Sequence, residues 1–441
     1  MIMKTSIARL ITAAIAFLAS VSTTPAKDLQ DLSLLYVGSE RPSEFVPFLK
    51  RYVARVEPIT REAFRPAEAA SFDVVLLDWP QTGRPADFPP KSSPLGKREE
   101  WTKPTVLLGS AGLNLAVVWK LKGGTGCTCM DPLAYDLRPH EIFDRPFKID
   151  RQKMVKIATP ADFQAEIKSK EIEVLPLVDD YKRQWRPGWC SYSYDFGRNP
   201  DVEFFCGGTN HKTPTAAGLW RQGNLLHFGF EQSPTEMNQS GQHLLLNAIA
   251  YISRFSEDRP IAVTPSVFAG KVARSRSSFA RALRNPEYQL DWIKEDIAPE
   301  LWAKLAPLGR EKMAEWVDQD GQFLHPNSNL RLELDEDLIA LGTPFDKPEF
   351  FTKTVQGLRA GGAEAERAKK LLERYVPAGP KTADANEWAK WWAAVKAYAF
   401  PSDSGDYCWY IDPLAQKRGV PTGELRGPKR ARVAAPAISA G

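Results

Sequence analysis

The sequence is short of the features that mark membrane, nucleic-acid-binding and zinc proteins. After residue 26, no apolar run approaches the roughly 20 residues of a transmembrane helix, so we predict no membrane span there. The chain has 58 Lys and Arg against 54 Asp and Glu, and a net charge of +4 gives no electrostatic case for binding nucleic acid. Cysteine and histidine number five each, without Cys-x-x-Cys or His-x-x-x-His spacing. We therefore predict neither a metal nor a cofactor.

The first 26 residues have the pattern of an export signal. Lys4 and Arg9 precede an apolar run over residues 10–21, and Thr24-Pro25-Ala26 offers small residues for cleavage. We predict a signal peptide over residues 1–26 and a periplasmic or extracellular location. The alternative is a leader that is kept as an uncleaved anchor, and the sequence leaves that choice open.

The rest of the chain has the composition of a folded protein with two or three domains. Hydrophobic residues make up 43% of the sequence, which supports packed cores and excludes a mostly disordered chain. Runs rich in Val and Leu at residues 32–38, 72–79 and 104–109 alternate with helical patterns. Uninterrupted apolar runs are typical of strands buried on both faces, so they predict a parallel sheet of βα units. A hairpin with its turn at Gly223-Asn224 and a helix over residues 239–255 follow.

The predicted α/β domain covers residues 27–258, and the chain beyond it is nearly all helical in pattern. Proline and glycine separate the candidate helices of a second domain over residues 259–425. No fixed repeat period is present, which argues against a solenoid. Residues 426–441 are predicted to be a basic disordered tail.

Three tryptophans of the helical part fall on one face of a predicted helix. Trp388, Trp391 and Trp392 have the spacing i, i+3 and i+4. Such a stripe either packs into the core of its own domain or offers its rings to a sugar. We expect the core arrangement.

Five segments of the first domain carry a resemblance to a known fold: Leu34–Gly38, Asp73–Asp78, Val106–Gly112, His140–Pro146 and Gly223–Glu231. Their strand-and-turn pattern resembles the class I glutamine amidotransferase-like fold, and particularly its ThuA-like branch, over roughly residues 28–255. The resemblance implies a flavodoxin-like or amidotransferase-like, mostly parallel sheet with flanking helices. A mainly α-helical C-terminal domain follows it here.

The helical part has a weaker resemblance of its own. It rests on Leu334–Gly342, Trp388–Trp392 and Trp409–Leu414. These segments resemble helical regions of secreted planctomycete-type hypothetical proteins. The resemblance implies an architecture and no particular chemistry.

The amidotransferase resemblance implies where catalytic residues would stand. Members of that family place a cysteine nucleophile on a strand-to-helix turn, and the matching position here is Ser110 in Leu108–Gly112. The family's Gln-Phe-His-Pro-Glu segment matches residues 227–231, which puts glycine at the position of the histidine base. His227 and Glu231 are the remaining candidates to assist Ser110.

We predict a ligand site at the carboxyl ends of the parallel strands, near Gly38, Trp79, Ser110 and Glu231, because open α/β sheets bind ligands there. We predict a non-catalytic module that binds a small-molecule or carbohydrate ligand or serves as a scaffold. The alternative is a hydrolase of a carbohydrate-related or amide substrate.

The cysteines allow more than one arrangement. Cys190 and Cys206 flank a loop in a strand-rich region, and a disulfide between them would stabilise the fold by about 3 kcal/mol. Cys127 and Cys129 either form a local bridge, bind a soft metal or stay reduced, and we do not predict the metal. Cys408 is most simply a buried thiol.

Overall fold

A computed structural model of the chain describes residues 27–83, 90–121, 126–164, 166–183, 188–193, 196, 199–262, 273–286 and 288–426. The predicted signal peptide lies outside the described residues, as does the predicted tail from residue 427 onward. Among the described residues, no helix combines the length and apolar character needed to cross a bilayer.

One mixed sheet of twelve strands organises the N-terminal part of the described chain. Its strands are β1 (Ser33–Val37), β2 (Arg55–Ile59), β3 (Val74–Asp78), β4 (Thr105–Leu108), β5 (Gly126–Met130), β6 (Leu133–Tyr135), β7 (Val155–Ala158), β8 (Glu171–Pro176), β9 (Gly188–Tyr192), β10 (Val202–Gly208), β11 (Ala216–Gln222) and β12 (Leu225–Phe228). They follow the order β2-β1-β3-β4-β12-β11-β10-β6-β8-β7, and β9 pairs with both β5 and β11.

The five strands at one side of the sheet are parallel. β2, β1, β3, β4 and β12 pair in that order, which is the strand order of flavodoxin-like sheets. β3 is buried along its whole length, as its uninterrupted apolar sequence predicts. The fold class predicted from the sequence is confirmed, with a sheet that continues beyond β12 as an antiparallel half.

Helices cover both faces of the parallel strands. α1 (Pro42–Leu49) and α3 (Gln239–Ile252) share a core with Val74 and Leu76 of β3. On the opposite face, Val75 and Leu77 pack in a second core with α2 (Ala111–Trp119). The alternation follows from the two-residue period of a strand, and it places the β4-to-α2 connection at the carboxyl edge of the sheet.

The antiparallel half begins at the hairpin of β11 and β12. Gln222 pairs with Leu225, so the turn consists of Gly223 and Asn224, as predicted. Gly223 has a φ of +58°, and a Cβ built there would lie 2.3 Å from the backbone nitrogen of Pro260. Both observations explain why glycine is needed in this turn.

The cysteine pairing differs from the predicted Cys190–Cys206 disulfide. The bridge joins Cys127 to Cys129, and both Cys190 and Cys206 are buried free thiols. Ala217 of β11 pairs with Ser191 on one side and with Gly207 on the other, so β11 separates the two predicted partners. Two strand spacings put their backbones about 10 Å apart, beyond the reach of a disulfide.

The remainder of the described chain is mainly helical. It contains the two short hairpins β13 (Leu324–Pro326) with β14 (Leu332–Leu334) and β15 (Ala399–Ser402) with β16 (Cys408–Ile411). Its helices are α4 (Arg276–Arg284), α5 (Leu290–Lys294), α6 (Pro299–Leu305), α7 (Gly309–Asp320), α8 (Glu336–Leu341), α9 (Glu349–Ala360), α10 (Gly362–Tyr375), α11 (Ala385–Val395), α12 (Pro413–Arg418) and α13 (Thr422–Arg426).

The tryptophan stripe lies on α11 and packs into the helical core, as expected. Trp388 is buried, and its Nε1 donates to the Thr382 carbonyl oxygen over 2.8 Å. Trp392 is half-buried, and its ring stacks on Phe351 with centroids 3.6 Å apart. The stripe therefore holds α11 against α9, and only the edge at Trp391 and Trp392 reaches the surface.

Candidate functional site

The carboxyl ends of the parallel strands bring the predicted ligand residues to one edge. Gly38 follows β1, Trp79 follows β3, Ser110 follows β4, and Glu231 comes three residues after β12. Glu231 reaches back along this edge, because its Oε1 accepts a hydrogen bond of 2.7 Å from the backbone nitrogen of Gln81. Topology alone therefore predicts the location of this edge.

A buried ion pair organises the edge. Asp78 is fully buried at the end of β3, and its carboxylate pairs with the Arg41 guanidinium at the start of α1. Tyr36 donates to the Asp78 Oδ2 over 2.5 Å, and Arg41 also donates to the Glu231 carbonyl oxygen. Burial lowers the pKa of Arg41, but the negative charges of Asp78 and Glu231 and the Asp78 hydrogen bond together raise it above its usual value, so Arg41 stays charged.

A second arginine links this ion pair to the surface. Arg61 pairs with Glu40, donates to the Asp78 carbonyl oxygen over 3.0 Å and lies 5.3 Å from the centroid of the Trp79 ring. Trp79 is thus held by a cation–π contact and is only half-buried. Of the predicted ligand residues, Trp79 keeps an accessible surface.

Ser110 stands on the strand-to-helix turn that the amidotransferase resemblance implies. Gly109 has a φ of +53°, and a Cβ built there would lie 2.1 Å from the Glu231 Oε2. Glycine therefore allows both the turn and the close approach of Glu231. Ser110 is 3% exposed, and its Oγ has no hydrogen-bond partner in the described part of the chain.

His227 lies beside the same turn but does not bond to Ser110. Its Nδ1 faces Gly112, where an added Cβ would lie 2.0 Å away, and this nitrogen also has no partner among the residues described. Its Nε2 lies 3.4 Å from the Trp189 carbonyl oxygen, which accepts only, so Nε2 carries the hydrogen. Burial lowers the pKa of His227 to about 3 and keeps the ring neutral.

At residue 229, which matches the family's histidine base, the backbone of another strand fills the space that a side chain would need. The backbone of Trp189 on β9 crosses Gly229, donating to its carbonyl oxygen over 2.8 Å. A Cβ built on Gly229 would lie 1.9 Å from the Trp189 carbonyl oxygen, and one on Gly188 would lie 2.1 Å from the Gly229 carbonyl oxygen. No side chain fits at residue 229, which gives a physical reason for the glycine.

Further polar groups are buried without partners along one stripe of α2. Ser110, Leu113, Asn114 and Val117 have the spacing of a single helix face, and Leu113 and Val117 pack on Trp189. Asn114 is 1% exposed, and its Oδ1 and Nδ2 make no hydrogen bond within the described chain. The Trp189 Nε1 is orphaned in the same way. Asn114 follows Ser110 by four residues, so its spacing could have identified it from the sequence.

Three sulfur atoms form the group of potential metal ligands found among the described residues. The Sγ atoms of Cys127, Cys129 and Cys190 all lie within 4.8 Å of one another. Two of them are joined in the disulfide, which leaves one thiol to bind a metal ion in this state.

The helical part contains a cleft of about 670 Å³. This volume lies in the range of small-molecule sites, and the lining combines aromatic rings with a few charged groups, as such sites do. The side chains that give it this character are Trp392, Phe400, Trp409, Asp346, Glu349 and Lys396.

No protein-family model and no curated protein sequence matches the chain. Among solved structures, a protein described as ThuA-like from Bacteroides uniformis ATCC 8492 is 12% identical, with 53% of this chain and 94% of that chain covered and a TM-score of 0.31. A protein described as a GMP synthase subunit, from Thermoplasma acidophilum, is 10% identical, with 51% of this chain and 96% of that chain covered and a TM-score of 0.25.

Proposed function

We propose that the α/β domain is a non-catalytic binding or scaffolding module of an exported, two-domain protein. The observation that carries this proposal is the crossing of β9 over Gly229. The Trp189 carbonyl oxygen occupies the space in which an imidazole at residue 229 would stand, so that position provides no base for Ser110.

The state of His227 supports the same conclusion. A base for Ser110 needs a lone pair within hydrogen-bond reach and a pKa near the working pH. His227 makes no hydrogen bond to Ser110, and its pKa near 3 makes it a weak base at neutral pH. The competing hypothesis is a hydrolase of a carbohydrate-related or amide substrate that uses Ser110 with His227 or Glu231, and it requires these side chains to move into contact.

Polar atoms without hydrogen-bond partners, on the α2 stripe and on the strands beside it, support a small polar ligand. Each buried donor or acceptor without a partner costs about 1–3 kcal/mol, so such a group is completed either by a buried water molecule or by a polar group of a ligand, and the ligand is the occupant proposed here. Ser110 and Asn114 each offer a donor and an acceptor, the His227 Nδ1 offers an acceptor, and the Trp189 Nε1 offers a donor. The matching ligand is compact and carries hydroxyl or amide groups.

The experiment compares two buried asparagines, one without hydrogen-bond partners and one with all of its hydrogen bonds made. Asn114→Leu removes unpartnered atoms, and we expect the free energy of unfolding of the ligand-free chain to rise by about 1 kcal/mol. Asn247→Leu removes two donated bonds of 2.8 and 2.7 Å and one accepted bond of 2.9 Å, and we expect a loss of about 2–4 kcal/mol. Urea unfolding measures both values. An equal loss in both variants would contradict a ligand role for Asn114.

Ligand binding is tested on the same variants. The full chain is screened by thermal shift against L-glutamine, acetamide, glycerol and glucose at millimolar concentration. We expect at least one of these probes to raise the melting temperature of the unsubstituted chain and to lose that effect in Asn114→Leu, because bound ligand stabilises only the folded state. A shift that persists in Asn114→Leu would place the ligand elsewhere.

The cleft of the helical part supports a second site, for a carbohydrate. The half-buried Trp392 lines it together with Asp346 and Glu349, and the accessible part of an indole ring beside carboxylates suits the apolar face and the hydroxyl groups of a sugar. Calorimetric titration with neutral disaccharides tests this site. We expect heat of binding that is lost in Trp392→Ala, and no binding to the unsubstituted chain would refute it.

A further inference from the structure

Three sulfur atoms lie close together on the paired strands β5 and β9, next to the part of β9 that packs against residue 229. Cys127 and Cys190 are directly opposite each other in the antiparallel register, and their Sγ atoms are 3.6 Å apart. Cys127 is at the same time bridged to Cys129. The central sulfur, that of Cys127, therefore touches a free thiol while it forms a disulfide, which is the arrangement from which a disulfide exchanges.

A buried amide is oriented toward the free thiol. Asn210 is 1% exposed, and its Oδ1 accepts from the backbone nitrogens of Lys212 and Thr213 over 2.8 and 2.9 Å. These two bonds fix which end of the amide is oxygen, so the Nδ2 is the atom that lies 3.6 Å from the Cys190 Sγ. A donor at this position stabilises negative charge on the Cys190 sulfur.

The three cysteines differ in access to solvent. Cys190 is fully buried and Cys127 is nearly so, whereas Cys129 is only partly buried. Burial raises the pKa of Cys190, while Asn210 and the positive charge of Lys212 act in the opposite direction. The buried thiol is therefore shielded from external reagents, and the neighbouring disulfide is its nearest reaction partner.

We propose that Cys127, Cys129 and Cys190 form a thiol–disulfide exchange site. In a local opening that admits water between β5 and β9, the Cys190 thiol loses its proton, and its thiolate attacks the Cys127 sulfur. A Cys190–Cys127 bond forms, the Cys127–Cys129 bond breaks, and the electron pair of the broken bond stays on Cys129, which takes a proton from solvent. One disulfide and one thiol are present before and after, so the step needs no external oxidant or reductant.

Exchange moves the reactive thiol from a fully buried residue to a partly exposed one. The Cys129 thiolate then attacks a small external disulfide, forms a mixed disulfide with one half of it and releases the other half as a thiolate. The site thus joins a buried cysteine to external disulfides of low molecular weight, through a bond that links β5 and β9 in one state and leaves them unlinked in the other. This inference is independent of the function proposed for the α2 stripe.

The experiment traps the exchanged state in the folded, full chain. Protein purified under oxidising conditions is incubated with N-ethylmaleimide at pH 8, acidified and digested without reduction, and the label and the bridge are located by mass spectrometry. We expect label on Cys129 together with a Cys127–Cys190 bridge. Label on Cys190 with the Cys127–Cys129 bridge unmoved would overturn the proposal. Absence of label on Cys129 after one day would do the same.

Two cysteine variants make the result specific. Cys190→Ser lacks the attacking thiol, so we expect labelling of Cys129 to fall at least tenfold, whereas Cys206→Ser, which removes a buried thiol outside the cluster, should label like the unsubstituted chain. Circular dichroism checks that both variants fold. Equal labelling of Cys129 in folded Cys190→Ser and in the unsubstituted chain would overturn the proposal, and the mapping of the unsubstituted chain decides the matter if Cys190→Ser does not fold.

Discussion

Gly229→Ala is the substitution that bears most directly on the crossing of β9 over Gly229. The added methyl carbon would lie 1.9 Å from the Trp189 carbonyl oxygen, 2.9 Å from the Met130 Cε and 3.1 Å from the Gly218 carbonyl oxygen. A comfortable carbon–oxygen contact is about 3.3 Å, so β9 must retreat by about 1.4 Å. Two of the three obstacles are backbone atoms, which cannot rotate away as a flexible side chain can.

The loss of stability that follows from moving β9 can be estimated from the contacts that break. The movement breaks the hydrogen bond of 2.8 Å from the Trp189 nitrogen to the Gly229 carbonyl oxygen and the contact of 3.4 Å from the His227 Nε2 to the Trp189 carbonyl oxygen. Buried groups that lose their partners cost about 1–3 kcal/mol each, and overpacking adds about 1–3 kcal/mol. These terms add to at least about 3 kcal/mol, which we expect as the minimum loss in the free energy of unfolding.

Urea unfolding followed by circular dichroism at 222 nm measures this loss. With a slope of about 2–3 kcal/mol per molar urea, the midpoint should fall by at least about 1 M. Gly423→Ala is the matched control, because a Cβ at residue 423 of α13 meets nothing within 4 Å, and its midpoint should stay unchanged or rise slightly. A Gly229→Ala midpoint within about 0.2 M of that of the unsubstituted chain would refute the crossing.

Two further predictions concern buried charge. The pKa of His227 falls to about 3 on folding, so the unfolded chain binds more protons below the usual value near 6.5. The stability that this residue contributes is present above pH 6.5 and is lost on acidification, by about 1.5 kcal/mol between pH 6.5 and 5. His227→Gln should remove this part of the dependence of the free energy of unfolding on pH, and the exposed His211→Gln should not. Arg41→Met leaves Asp78 buried without its cation and should cost about 3–5 kcal/mol, whereas Arg55→Met, in an exposed pair, should cost less than about 1 kcal/mol. Urea midpoints check both predictions. A pH dependence that is unchanged in His227→Gln would contradict the burial of that ring, and equal losses in Arg41→Met and Arg55→Met would contradict the buried ion pair.

Much of the α/β part could be predicted from the sequence because its signals are local. The apolar run at residues 72–79 becomes β3 because a strand buried on both faces needs no polar alternation. Gly223-Asn224 forms the predicted two-residue turn, and Ser110 stands on the predicted strand-to-helix turn. The carboxyl edge follows from strand direction alone, which is why Trp79 and Glu231 were found there.

The features that decide the chemistry depend on contacts between distant segments. Trp189 covers a residue 40 positions further along the chain, and no local pattern marks that crossing; the glycines at 188 and 229 are its only trace. The predicted Cys190–Cys206 disulfide was wrong for the same reason, since loop length does not reveal that β11 lies between the two cysteines. The predicted export, domain boundary and helical-region resemblance stay predictions.

The measurement that tests the central proposal most directly is hydrolysis by the purified full chain. Ammonia release from L-glutamine and product release from p-nitrophenyl acetate are compared with those of Ser110→Ala at pH 7.5. The proposed role of the α/β domain predicts that the two proteins have the same rate within error, because no base stands within hydrogen-bond reach of the Ser110 Oγ among the described residues. Turnover that is well above background and is lost in Ser110→Ala would contradict it and establish the hydrolase.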